Sequence, residues 1–273
     1  MCRWIAYRGE PVPLESYVTK PVHSLVSQSV HALESTAVFN GDGFGLGWYG
    51  DKPEPGLYKE LRPAWSDENL RHLCRHLRSH MFFAHVRAAT GTSVARPNCH
   101  PFAHGKWMFM HNGLVGRWDE LRRDVEKMIP DEVYISRGGT TDSEALFLAA
   151  LGMGLTGHDR LDPVAAIERM VETVTDLVDG KGEGAPFRFT AALADGRDLY
   201  AFRYSANDGS NSLYYRALGN AVVVASEPLD QDRGSWIGVP DNSALIARWG
   251  EPLEILPFPQ VSSTQIDSIP AAR

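Results

Sequence analysis

The chain has 273 residues, 43% of them hydrophobic and 22% charged, with a formal net charge of −7. That length and apolar content suffice for a large buried core, and the acidic balance speaks against a nucleic-acid or anionic-membrane surface. No apolar run approaches the roughly 18–20 residues that span a bilayer, and the N-terminus lacks the zones of a secretory signal. The expectation is a cytoplasmic globular protein with one domain over residues 2–256 and a Pro/Ser-rich tail, 257–273, that lies on the surface or frays.

Three widely spaced cysteines, Cys2, Cys74 and Cys99, contain no CxxC pair, which indicates neither a disulfide framework nor a zinc ribbon. Cys2 has a special option. If Met1 is removed, its thiol stands beside a free α-amine with an ordinary pKa of about 7.7–8.0, which can serve as base for its own side chain. The alternative is an ordinary core cysteine on an apolar strand running to Arg8 and ended by Gly9–Pro13.

Leu14 to Ser35 reads as a turn and short helical pieces broken at Pro21. The glycines from Gly41 to Gly47 suggest a dinucleotide loop, but the GxGxxG register fails, because Leu46 or Trp48 falls at its last position. A glycine-laced strand that permits close backbone approach fits better. Asp67–Leu77 has helical apolar spacing with Cys74 on the core face. His72, His76 and His80 recur every four residues, but without carboxylate support they read as a solvated face rather than a zinc site.

Met81–Arg87 is a strand candidate leading into Ala88-Ala89-Thr90-Gly91. An arginine and a threonine there offer donors to a carboxylate, although a strand-end arginine is commonly a surface ion pair. The strand Lys106–Met110 runs into His111-Asn112-Gly113. Asn-Gly supplies either a hairpin turn or, through side-chain amide and backbone N–H, the parts of an oxyanion hole. Trp118–Met128 is a helix. Thr141 and Glu144 form a capping-box pattern that puts Asp142 in a first helical turn, where it complements the helix dipole or meets a ligand ammonium. A long amphipathic helix covers Asp162–Val178, and strands follow at Phe187–Ala194, Leu199–Tyr204, Leu213–Ala217 and Ala221–Ser226.

Taken together, Cys2, Arg87 with Thr90, Asn112-Gly113 and Asp142 resemble the class II glutamine amidotransferases in order and context. The stretches Met1-Cys2-Arg3, Asn40-Gly41-Asp42-Gly43, Phe83-Ala84-His85-Val86-Arg87, Asn98-Cys99-His100-Pro101 and Thr141-Asp142-Ser143-Glu144 carry the same likeness. It looks closest to the stand-alone branch with the glutathione-degradation glutaminase and the ergothioneine-pathway γ-glutamyl hydrolase. The resemblance implies an α+β fold, a four-layer αββα sandwich of antiparallel sheets, typical of N-terminal-nucleophile hydrolases.

It also implies roles. Cys2 would be the nucleophile, with Asn112 and Gly113 holding the oxyanion. Arg87 and Thr90 would bind the α-carboxylate, and Asp142 the α-ammonium, of a glutamyl group. No cofactor or metal is expected, and His85, His100 and His111 shape the pocket without assigned roles. One departure concerns Gly91, which stands where many such domains carry a histidine. Nothing after Val178 suggests a fused synthase. The expected activity is therefore hydrolysis of glutamine or a γ-glutamyl compound through a Cys2 thioester. The alternatives are a glutaminase feeding ammonia to a separate subunit and a catalytically silent glutamine-binding module.

Overall fold

A computed structural model describes residues 2–34, 39–89, 91–157, 161–207 and 209–259. The elements in chain order are β1 (Arg3–Pro13), α1 (Glu15–Val18), α2 (Leu25–Val30), β2 (Phe44–Trp48), β3 (Gly56–Glu60), α3 (Glu68–His76), β4 (Arg78–Val86), β5 (Phe102–His104), β6 (Trp107–Leu114), α4 (Trp118–Glu126) and α5 (Asp131–Tyr134). They continue with α6 (Asp142–Ala150), α7 (Pro163–Asp179), β7 (Arg188–Ala194), β8 (Leu199–Ser205), β9 (Tyr214–Leu218), β10 (Ala221–Ala225), β11 (Ile237–Gly238), β12 (Ser243–Ala247) and β13 (Glu254–Pro257).

The strands form two sheets, β11-β9-β10-β1-β4-β2-β3 and β13-β12-β8-β7-β6-β5, with every pairing antiparallel. Alternation along the strands sorts the apolar residues into three cores. Ile5 and Tyr7 face α1–α3, while Trp4 and Ala6 face the other sheet. On β7, Phe189, Ala191 and Leu193 meet α4, α6 and α7, and Ala192 and Ala194 meet the first sheet. The result is the four-layer αββα sandwich.

Several details differ from the sequence reading. β1 runs through Gly9 to Pro13, because Val12 and Pro13 regain pairing with Ser79 and Arg78 past an irregularity in register. β3, β5, β11, β12 and β13 carry no strong alternating signal and are set by their partners. His80 lies on β4 with its ring Nε2 2.9 Å from the Gly196 carbonyl, whereas His72 and His76 are exposed on α3. The three imidazoles therefore share no face. Phe258, just past β13, is fully buried against Phe202 and Tyr204, and residues 260–273 lie outside the described ones. Among the described residues no helix is long and apolar enough to cross a membrane.

β2 shows why its glycines are there. A Cβ on Gly45 would stand 2.0 Å from the His100 carbonyl oxygen, and one on Gly47 would stand 2.3 Å from Met108 Sδ. The close backbone approach expected of this stretch is present.

Candidate active site

Pairing brings the sequence candidates together. Arg3 opposes Val86 across β1 and β4, so the residue before β1, Cys2, comes beside the residues after β4. Cys2 Sγ accepts from the Ala88 N–H at 3.5 Å and lies 3.6 Å from its carbonyl. Asp42 holds this turn, accepting from the Ala89 N–H at 2.8 Å. Opposite, β6 carries Asn112 and Gly113, and α6 begins at Asp142. Cys2, Arg87, Asn112, Gly113 and Asp142 all line one cleft of about 470 Å³ at the end of the two sheets. Thr90 lies outside the described residues. Gly91 has φ +73°, a backbone conformation that suits glycine and disfavours a residue with a side chain.

Arg87 is buried, and its guanidinium donates only to neutral oxygens: Thr92 Oγ1 at 2.7 Å, the Ser93 carbonyl at 3.2 Å and the Asp42 carbonyl at 3.4 Å. It has no carboxylate partner among the described residues. Asp142 mirrors it. Its carboxylate accepts from the Val115 N–H at 3.1 Å, the Ser143 N–H at 2.7 Å and Ser143 Oγ at 3.2 Å, with no cation beside it among those residues. Only half of the capping box forms. Thr141 Oγ1 accepts from the Glu144 N–H, but the Glu144 carboxylate turns to the N–H groups of Gly138 and Gly139 at 2.9 and 2.7 Å.

Asn112-Gly113 is no hairpin turn. β6 continues through both residues, paired with Thr190 and Phe189 of β7. A Cβ on Gly113 would stand 2.0 Å from the Arg188 carbonyl oxygen, which explains glycine at an extended position. The Asn112 carbonyl accepts from Asn211 Nδ2 at 2.8 Å, while its own Nδ2 is buried with no partner among the described residues. A buried amide donor left unpaired in a cleft is costly and fits an oxygen supplied by a ligand.

Burial controls the ionisation of the site. It pushes the Cys2 thiol up, against the Ala88 N–H bond and the charges of Arg87 and Arg3, which favour thiolate. The same cause drives the His85 imidazole down to about 3, with Arg87 adding to the effect, and His100 well below its usual range. These two rings stack with centroids 4.2 Å apart. His111 is lowered by burial, opposed by Asp142 and by its bond to the Arg188 carbonyl. Its ring nitrogens lie 2.9 Å from Ser143 Oγ and 3.2 Å from the Arg188 carbonyl oxygen. Burial thus favours the neutral form of all three imidazoles.

Behind Cys2 lies a charged group that the sequence reading missed. Arg3 Nε stands 2.7 Å from Glu227 Oε1, both side chains being inaccessible to solvent, and Glu227 Oε2 is 2.9 Å from His23 Nε2 and accepts from the Leu33 N–H at 2.8 Å. Arg3 also donates to the Cys2 carbonyl at 3.2 Å. The polar end of β10, Ser226-Glu227, was the available signal, but its partners come from the other end of the chain. Burial pushes the Glu227 carboxyl up, yet the bonds from His23 and Leu33 and the Arg3 charge outweigh it and hold the group below the usual range.

Removing this charge leaves the buried Arg3 guanidinium with backbone carbonyls but without its 2.7 Å carboxylate partner. Glu227→Gln is expected to lose about 3–5 kcal/mol of stability at neutral pH in urea unfolding. A depressed carboxyl contributes fully above its unfolded value, about 4.3, and less as pH falls through the folded one. The gap to the unaltered chain should therefore close in acid.

A sandwich of two antiparallel sheets between helices, with a cysteine preceding its first strand and facing the cleft, defines the N-terminal-nucleophile amidohydrolase architecture. The chain belongs to the class II glutamine amidotransferases, whose family model matches residues 20–216, and it is an enzyme of that type. It is 32% identical to the probable glutamine amidotransferase DUG3 of Saccharomyces cerevisiae over 90% of this chain and 81% of that protein. It is 29% identical to the gamma-glutamyl-hercynylcysteine sulfoxide hydrolase of Mycolicibacterium smegmatis over 91% and 96%. A solved glutamine aminotransferase class-II domain protein from Silicibacter pomeroyi superposes with TM-score 0.72 and 36% identity, covering 94% of this chain and 99% of that one.

Proposed function

We propose that the protein hydrolyses the γ-glutamyl amide bond of glutamine or a γ-glutamyl compound through a thioester on Cys2, releasing glutamate. The observation that carries this reading is a pair of opposite charges without counter-ions among the described residues, Arg87 and Asp142, in one cleft with Cys2 Sγ and the unpaired Asn112 amide. A glutamyl head carries the complementary carboxylate and ammonium. Holding both ends places its γ-carbonyl against sulfur.

In this reading the Cys2 α-amine, freed by removal of Met1, takes the thiol proton as sulfur attacks the γ-carbon. Asn112 Nδ2 and the Gly113 N–H hold the oxyanion. Collapse breaks the C–N bond, and the amine's extra proton leaves with the departing nitrogen. Water then attacks the thioester, again giving its proton to the α-amine, and the proton returns to sulfur as glutamate departs. The reading needs such a base because the thiol's hydrogen-bond partners are the Ala88 N–H and carbonyl, with no described imidazole or carboxylate among them. Thr90 would assist Arg87. The names of the relatives support amidotransferase or γ-glutamyl hydrolase chemistry. A second reading, ammonia supply to a separate subunit, differs in the fate of the leaving group.

The test is glutamate release from glutamine and a panel of γ-glutamyl amides, with Asp142→Asn beside the unaltered enzyme. That variant should keep its fold and lose about 2–5 kcal/mol in kcat/KM, since the ammonium loses its ionic partner. Near-normal kcat/KM would place the ammonium elsewhere. Failure to release glutamate from any substrate would favour a silent binding module.

A further inference from the structure

Arg188 opens β7 and lines the same cleft, directly opposite Leu114 of β6. Phe187 and Phe189 on either side of it face the helical core, and Ala192 and Ala194 face the space between the sheets. Alternation therefore turns Arg188 toward the inter-sheet face, the face shared by Trp4 and hence Cys2 on the first sheet and by Met108, Met110 and Asn112 on β6. Its backbone is pinned. Its carbonyl oxygen is 3.2 Å from His111 Nε2 and lies where a Cβ on Gly113 would have to go.

The side chain has no such anchor. Arg188 makes no hydrogen bond or ion pair through its guanidinium with any described residue, and its Nε is buried without a partner. The neighbouring cleft arginines are occupied. Arg117 meets both carboxylate oxygens of Glu120 at 3.0 Å and the Lys181 carbonyl, and Arg87 meets three oxygens. The nearby acid Asp119 is exposed to solvent. A guanidinium partly withdrawn from water and left unpaired is unfavourable, and a carboxylate satisfies it with two parallel bonds.

If the glutamyl head is held by Arg87 and Asp142, its single carboxylate is already bound. The second guanidinium then needs an anion from the other side of the scissile bond. Glutamine cannot supply one, because its leaving group is ammonia. A γ-glutamyl amino acid or peptide can, through the carboxylate of its leaving amine. We propose that Arg188 binds that carboxylate and makes the enzyme selective for γ-glutamyl amino acids and peptides over glutamine and uncharged γ-glutamyl amides. This assignment rests on the hydrolase reading above.

The experiment compares glutamate release from γ-glutamylglycine, γ-glutamylglycinamide and glutamine by the full chain and by Arg188→Gln. The two glycine compounds have equal length and differ in the carboxylate. The unaltered enzyme should favour γ-glutamylglycine over the amide by on the order of tenfold or more in kcat/KM. In Arg188→Gln that ratio should collapse to within about threefold. The comparison of substrates in the unaltered enzyme stands even if the variant folds poorly. Equal rates on the two glycine compounds in the unaltered enzyme overturn the proposal, as does a ratio unchanged by the substitution. Glutamate from none of the three overturns the hydrolase reading and this assignment with it, a result distinct from turnover without selectivity.

Discussion

Protein that retains Met1 should release no glutamate while remaining folded, and Cys2→Ala should be equally inactive. Burial raises the pKa of the Cys2 thiol, so at neutral pH sulfur carries its proton and attack requires a base at hand. No described imidazole is a hydrogen-bond partner of Sγ: both nitrogens of His111 are engaged, and among the described residues Sγ hydrogen-bonds with Ala88 alone. The α-amine of Cys2 is on the same residue, with an ordinary pKa of about 7.7–8.0. Joined to Met1 it is an amide with no usable basicity. Cys2→Ser should be far slower, because a hydroxyl is the poorer nucleophile. Intact mass measured alongside glutamate release checks this. Full turnover from chains that still carry Met1 would end the mechanism.

Asn112→Ala should lower kcat by about 10²–10³ while changing KM much less. The Asn112 side-chain Nδ2 is buried with no partner among the described residues, so no bond to them has to break when charge develops on the substrate oxygen. The Asn112 carbonyl, bonded to Asn211, holds the backbone in place, and β6 continues past it in register with β7. A raised KM with unchanged kcat would instead make Asn112 a ground-state binding residue. Steady-state kinetics on one γ-glutamyl substrate separates the two outcomes.

The amidotransferase family and the αββα sandwich were legible in the sequence because several short stretches each combine strand or helix character with a polar end. Five of the six candidate site residues line one cleft, and the sixth, Thr90, lies outside the described residues. Such signals are local. A strand ending in Arg87, a helix opening at Asp142 and a cysteine before an apolar strand each announce themselves within a few residues.

Other features depended on partners far along the chain. Asn112-Gly113 has the composition of a turn, and only pairing with β7 holds it extended. Glu227 reads as the polar end of a strand until Arg3 and His23 arrive from more than 200 residues away to bury its charge. Arg188 looks like any arginine at a strand start. Strand alternation turns it into the cleft, and the lack of a described partner leaves its charge unanswered. Local sequence thus determined which groups could do the chemistry, since propensity and capping act over a few residues. Tertiary structure decided which charges are paired, because pairing depends on distances between segments that no local pattern encodes.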